Sequence, residues 1–280
     1  MKNKTQRYAR LILSVAVFTI ISIKTIAQKL PNVQDVSLRA PADIKIDGKI
    51  AEWDNKFQAY NKATDIFYTI ANDNDKLYLT IQATDPSIIT KIISGGVTFS
   101  ISASGDKKAK NLLSITFPAK EGKVNPLLIK LINKPKPSND AAKYKMQLDS
   151  FMKVINKRLT DSVKLIGVTN LKDIEDNFIS MYNDLGIKAA ALFDNNISYN
   201  YELAIPKKYL GLGANNLKFT YQIKLNGTTP PNATIQQSGS GRFLIVTVGN
   251  NPPYAIPNVV PYAASAYPTD FWGEYTLAKK

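Results

Sequence analysis

Short apolar runs recur along most of the chain, and they follow the two-residue period of β-strands. The runs cover residues 76–83, 95–103, 112–117, 187–193, 197–205, 217–225 and 243–248. Asp194, Asn195 and Asn196 separate two of them, and these residue types accept the left-handed backbone of a tight turn, so we expect a hairpin there. Pro206 ends the second strand because it lacks an amide donor, and residues 207–210 should then start a short helical turn. The pattern predicts an all-β fold.

Residues 105–183 depart from this pattern. Between residues 141 and 161 the apolar residues recur every three or four positions, which is typical of one face of an amphipathic helix. They are Tyr144, Leu148, Phe151, Ile155 and Leu159. A second, shorter helical face is predicted from Leu171, Ile174, Phe178 and Met181. We therefore expect one sandwich domain spanning residues 28–280, with a helix-containing insertion at about 105–183.

Four segments carry recognisable sequence motifs. Residues 46–53 (I-D-G-K-I-A-E-W) place an Asp-Gly turn after a short β-type run at 43–46, and Trp53 follows as an apolar anchor. Residues 270–277 (D-F-W-G-E-Y-T-L) predict a closing strand that holds Trp272, the other of the two tryptophans. Residues 71–81 combine an acidic turn with a strand that Asp85 closes, and residues 201–206 (Y-E-L-A-I-P) end another strand.

In these four segments the chain resembles the family 9 carbohydrate-binding modules and their relatives. Those proteins begin with I-D-G-x-x-x-E-W and end in a strand with the pattern aromatic-glycine-x-aromatic. The resemblance implies a β-sandwich of jelly-roll-like type and, by analogy, glycan binding, but its motifs belong to the scaffold. The family's sugar-clamping tryptophan is missing from residues 91–100 (K-I-I-S-G-G-V-T-F-S), and Tyr267 or a neighbour takes the place of the second one.

The first 27 residues have the pattern of a secretory signal peptide. A basic head precedes an apolar run at 11–23, and Thr25-Ile26-Ala27 fits a cleavage site after Ala27. That run is too short to span a bilayer, which takes about 20 residues, and no later run is long enough. We therefore expect a periplasmic or extracellular protein with no transmembrane segment after cleavage. The absence of cysteine excludes disulfides and a lipoprotein acceptor.

Positive charge is concentrated in one part of the chain. Beyond residue 27 there are 31 basic and 22 acidic residues, and residues 105–165 alone hold 14 basic and five acidic ones. A solvated lysine-rich helix with its loops is the simpler explanation of this charge, and the alternative is a surface for an anionic ligand or an acidic protein partner. We expect no nucleic-acid partner, because an exported chain without a recognised binding motif is a poor candidate.

The residue types present restrict the chemistry. The chain has no histidine, which removes the commonest general base and zinc ligand, so we expect no enzymatic activity. A glycoside hydrolase that uses two carboxylates remains the weaker alternative. No cofactor is expected. Calcium at the Asn-Asp-Asn-Asp turn (72–75) is an alternative to a plain hairpin, and haem ligation by Met146, Met152 or Met181 is an alternative to core packing.

The favoured function is noncatalytic binding of a glycan or polysaccharide. Candidate ligand contacts are Tyr254, Tyr262 and Tyr267, which lie on the proline-rich segment 250–268, together with Trp272. Trp53 and Trp272 also occupy scaffold positions in the resemblance, and a strand tryptophan is more often part of a core. The rival hypothesis is a structural or protein-interaction module of the envelope that contacts its partner through the insertion.

Overall fold

The computed structural model describes residues 29–54, 56–109, 112–119, 135–172, 174–212, 217–227, 233–257 and 265–279. Contacts separate the chain into two compact units, Met1–Leu30 and Pro31–Lys280. The fold below is that of the second unit. The proposed signal peptide at 1–27 lies outside the described residues.

The second unit consists mainly of antiparallel β-strands. The strands are β1 Ala59–Asn61, β2 Ile66–Asn72, β3 Lys76–Ala83, β4 Val97–Ser102, β5 Leu113–Ala119, β6 Leu165–Thr169, β7 Phe178–Ser180, β8 Lys188–Phe193, β9 Tyr199–Pro206, β10 Lys218–Leu225, β11 Ala233–Gln237, β12 Phe243–Val248, β13 Tyr254–Pro257 and β14 Thr269–Thr276. The helices are α1 (Pro86–Gly95) and α2 (Ala141–Ser162), and short 3-10 turns lie at Ala51–Trp53 and Lys207–Tyr209.

The strands form three antiparallel sheets. Sheet A has the order β1-β2-β3-β9-β8, sheet B has the order β14-β10-β4-β5-β6-β7, and sheet C consists of β11-β12-β13. The predicted hairpin is confirmed, since β8 pairs with β9 from Lys188↔Ala204 to Phe193↔Tyr199. The predicted all-β sandwich with a helix is therefore confirmed.

The main core lies between sheets A and B. The ring of Tyr68 of sheet A contacts the tilted ring of Phe271 of sheet B at 5.1 Å, ring centre to ring centre, and its hydroxyl lies 2.9 Å from that of Tyr221. Gly273, opposite Tyr221 on the neighbouring strand, makes room for this ring, because a Cβ there would lie 2.4 Å from the phenol. Burying each such aromatic side chain contributes roughly 1.5–3 kcal/mol.

Helix α2 packs against one edge of the sandwich. Asp140 caps it by accepting a hydrogen bond from Lys143 N at 2.9 Å, which satisfies one of the free amides of the first turn. Its C-terminal half buries Met152, Ile155 and Leu159, while its first ten residues are exposed or half-buried. The predicted helix over 141–161 is confirmed.

The structure adds one helix that the sequence did not predict and corrects two expectations. Helix α1 was not predicted; Asp85 caps it by accepting from Ser87 N at 2.8 Å, and Pro86 occupies the first helical position, where no amide is needed. The second helix expected from Leu171 to Met181 is wrong, because Phe178–Ser180 form β7 and pair with β6. The strand expected at 43–46 is also wrong, because these residues are irregular.

Residues 105–183 contribute β5, β6 and β7 to sheet B, and α2 connects β5 to β6. Within the ranges that the structure describes, no helix combines the length and apolarity needed to cross a membrane.

Candidate functional site

The outer face of sheet A is closed by the segment that precedes β1. We call residues 38–57, without Asn55, the cover segment. Its Ile50 and Trp53 pack against Ala71, Tyr78 and Ala204 of the sheet, and Trp53 is only 6% exposed. The indole of Trp53 meets the ring of Tyr78 edge-on at 6.4 Å. The core position predicted for Trp53 is confirmed.

A buried carboxylate fixes the cover segment to the sheet. Glu202 on β9 is fully buried and accepts from Trp53 Nε1 at 3.0 Å, Gly48 N at 2.9 Å and Asp47 N at 3.1 Å. Removal from water outweighs these three donors and raises the pKa of Glu202 to about 7. The motif at 46–53 therefore meets the motif at 201–206 at this carboxylate.

Gly48 allows this close approach. Its φ of +84° lies in the left-handed region, and a Cβ there would lie 2.7 Å from the backbone nitrogen of Leu192. The cover segment therefore leaves little space above Glu202, and this face of the sandwich serves as scaffold.

The outer face of sheet B is polar. Trp272 of β14 lies directly opposite Gln222 of β10, which in turn lies opposite Ser100 of β4. Gln222 Nε2 donates to Asp270 Oδ2 at 2.6 Å, and the hydroxyls of Ser100 and Ser114 are 2.8 Å apart. Because side chains alternate along a strand, Phe271 and Tyr275 point into the core while Trp272 lies half-buried on the outer face.

Trp272 lines a groove of about 530 Å³ along the edge of sheet B. We call it the Trp272 groove. Its lining residues are Val33, Gln34, Asp35, Val36, Ser37, Lys107, Lys218, Trp272, Gly273, Glu274, Tyr275 and Thr276. One side is thus the edge strand β14, and the other is the segment that runs up to the cover segment.

Charged groups lie beside the indole in this groove. Lys218 Nζ is 2.6 Å from Glu274 Oε2, and both side chains are largely exposed. The hydrogen bond from Lys218 holds the pKa of Glu274 below its usual value, and the positive charge of Lys107 acts in the same direction. Glu274 is therefore an ionised acceptor at neutral pH.

The tyrosines predicted as ligand contacts lie elsewhere. Tyr254 is on β13 of sheet C and is 49% exposed, whereas Tyr267 precedes β14 and is 42% exposed. Neither lines the Trp272 groove. Tyr262 lies outside the described residues. Of the three predicted contacts that the structure describes, only Trp272 lines this groove.

Sequence reasoning missed the polar neighbours of Trp272. Gln222 and Asp270 come from strands 48 residues apart, so no local motif joins them. The alternation along 217–225 does place Gln222 on the polar side of its strand. The sequence could not show that this strand pairs with the closing strand, which brings Gln222 opposite Trp272.

In the turn at 72–75, hydrogen bonds from nearby residues occupy both side-chain oxygens of Asp73. Asp73 Oδ1 accepts from the backbone amides of Asp75 at 2.7 Å and Lys76 at 2.6 Å, and its Oδ2 accepts from the hydroxyl of Tyr78 at 2.6 Å. In the described part of the chain, no cluster of three or more acidic side chains could hold a metal ion. The methionines considered for haem also differ in setting, since Met152 is buried and Met146 is 67% exposed.

Comparisons with protein-family models, curated proteins and solved structures found no match to this chain. The resemblance to the family 9 carbohydrate-binding modules therefore stays a prediction, and function is inferred from the site.

Proposed function

We propose that this protein is a noncatalytic glycan-binding protein and that its ligand lies in the Trp272 groove. The observation that carries the proposal is a partly exposed indole in an open groove, beside planar polar groups on the same face of sheet B. Export follows from the signal-peptide pattern of residues 1–27 and is part of the same proposal.

The chemistry of the groove suits a sugar. An indole face stacks against the C–H side of a pyranose ring, which buries apolar area without desolvating the hydroxyls. Ionised Glu274 and the main-chain groups of β14 offer acceptors and donors for those hydroxyls. Lys107 adds a positive charge that would favour a carboxylate or sulfate substituent.

The carboxyl groups favour binding over hydrolysis. A general acid in a glycosidase needs a raised pKa, but Glu274 in the groove has a lowered one. Glu202 has the raised pKa, yet it is fully buried beneath Trp53. The carboxyl suited to proton donation is thus out of reach of a substrate.

A glycan array of neutral and acidic oligosaccharides, probed with the full chain, tests the proposal. We expect specific binding that Trp272→Ala weakens roughly 10- to 100-fold, as for other central aromatic contacts. Tyr254→Ala is the matched control, because it removes an exposed ring outside the groove and should leave binding unchanged. Binding that depends on Tyr254 or Tyr267 instead would move the site to sheet C or its connection to β14.

A protein-interaction function is the second candidate. On α2, Met146 and Val154 are exposed apolar side chains eight residues apart, and hence on one face of the helix. Silence of the glycan array across all sugar classes would contradict glycan binding and favour this alternative.

A further inference from the structure

A second cavity lies next to β8, at the edge of the sandwich opposite to β14 and the Trp272 groove. It has a volume of about 320 Å³ and lies between α2, β5 and β8. Leu159 and Val163 of the α2 region, Phe117 of β5 and Met181 give it a mainly apolar lining. The site proposed for glycans uses none of these residues.

The cavity runs along the open edge of a strand. Strand β8 is the outermost strand of sheet A, and four of its consecutive residues, 188–191, line the cavity. Successive side chains of a strand point to opposite faces, so four consecutive residues can line one cavity only if it follows the strand's edge.

Asn156 of α2 already binds this edge as a peptide group would. Its Nδ2 donates to Phe193 O at 2.9 Å, and its Oδ1 accepts from Phe193 N at 2.7 Å. Both main-chain groups of Phe193 therefore face away from β9. The next residue agrees with this alternation, since Asp194 N bonds across the hairpin to Ser198 O at 3.0 Å.

The same alternation fixes the direction of the next free groups. In an antiparallel ladder every second residue presents its N–H and C=O to the same side, so those of Ala191 and Ala189 face the cavity. Across the ranges described, no other element makes a hydrogen bond to these main-chain groups of Ala189 and Ala191. An apolar cavity bounded by a row of free main-chain donors and acceptors fits an extended peptide better than a featureless apolar molecule.

We propose that an extended peptide of a partner protein binds here by adding a strand to β8. It would continue the pairing that Asn156 begins, bond to Ala191 and Ala189, and place one aliphatic or aromatic side chain against Phe117 and Leu159. Lys188, which lines the cavity, donates to Asn183 O at 3.4 Å and has no carboxylate partner in the described part of the chain, whereas Asp47 is paired with Lys49 at 3.2 Å. An acidic residue beside the apolar one completes the recognised pattern.

Phage-displayed pentapeptides with a fixed apolar centre test this inference against the full chain. We expect enrichment of sequences with an acidic residue next to the centre, and slowed hydrogen exchange at the amides of Ala189 and Ala191 when a synthetic peptide is bound. N-methylation of the peptide amide that pairs with β8 should weaken binding more than about tenfold, while N-methylation of the neighbouring amide, which faces away, should change it less than about threefold.

A matched pair of protein variants supplies the control. Thr160→Trp fills the cavity mouth and should weaken peptide binding about tenfold or more, whereas Ser162→Trp adds the same ring two residues away on α2 and should not. The N-methylation arm uses the unaltered protein, so a folding defect of Thr160→Trp does not affect it. Failure to enrich any peptide, or equal sensitivity to both N-methylations, would overturn strand addition.

Discussion

Each outer face of the sandwich carries a tryptophan near a carboxylate, but only one of the two tryptophans is buried. On sheet A, Trp53 donates to the carboxylate of Glu202, and both are buried under the cover segment. On sheet B, Trp272 lies on the same face of β14 as Asp270, and it remains partly exposed in an open groove. An indole near a carboxylate therefore does not by itself mark a scaffold or a site.

The segment next to each face explains why Trp53 is buried and Trp272 is not. Gly48 lets the cover segment come within van der Waals contact of β8, which excludes water from Glu202. On sheet B, the Trp272 groove separates the segment at 33–37 from β14. Scaffold residues on the closed face should affect stability, and residues of the open face should affect binding.

The largest expected effect is on the closed face. Trp53→Ala removes a buried indole and leaves a cavity, so we expect the free energy of unfolding to fall by about 3–5 kcal/mol. Urea denaturation of the variant and the parent measures this. A loss below 1 kcal/mol would show that the cover segment contributes little to the fold.

The next effect is a pH dependence that originates at Glu202. Its pKa is about 7 in the folded protein against 4.5 ordinarily, so the folded state binds this proton more tightly than the unfolded state does. The resulting stabilisation is fully present below pH 4.5 and is lost as the pH rises to about 7, by on the order of 3 kcal/mol.

Glu202→Gln is the control, because it keeps the shape and one acceptor but does not titrate. Asp73 and Asp85 have lowered pKa values and destabilise the fold on acidification, but they do so equally in both proteins. The difference between the two stability curves therefore isolates Glu202. Parallel curves between pH 4.5 and 7 would contradict the assigned role.

A smaller loss is expected from Gly48→Ala. The added methyl meets the β8 backbone and the residue must keep a positive φ, so we expect a destabilisation of about 2 kcal/mol. Gly239→Ala is the comparison, because nothing lies within 4 Å of its added Cβ. Equal thermal midpoints for the two variants would show that the close contact at Gly48 is not required.

The smallest effect on stability belongs to the open face. Trp272→Ala removes a ring that is partly exposed, so the free energy of unfolding should fall by only about 1 kcal/mol even though glycan binding weakens roughly 10- to 100-fold. Calorimetry checks this. A loss as large as that of Trp53→Ala would make Trp272 a scaffold residue.

Local patterns predicted much of the fold. The spacing of Ile155 and Leu159 gave α2 to within one residue at its C-terminal end, and the alternation of residues 76–83 gave the bounds of β3. Both patterns depend only on which face of an element is buried. Helix α1 was missed although Ile88, Ile89, Ile92 and Ile93 have the spacing of one buried helical face and Asp85 and Pro86 mark its start.

The sites were less predictable, since they depend on contacts between distant segments. Glu202 lies 149 residues from Trp53 in the chain and 154 from Gly48, and only the folded sheet joins them. The groove likewise depends on how far the segment at 33–37 stands from Trp272. Residue types marked Trp272 as a candidate, but they could not show that it faces solvent while Trp53 does not.

The two tryptophans permit one direct measurement, because the chain has no others. Iodide quenching of fluorescence, recorded on Trp53→Phe and Trp272→Phe with and without a bound oligosaccharide, reports each indole separately. We expect Trp272 to be quenched in the free protein and shielded by the sugar, and Trp53 to be insensitive in both states. Unchanged quenching of Trp272 at a sugar concentration that saturates binding would contradict a glycan site in the Trp272 groove.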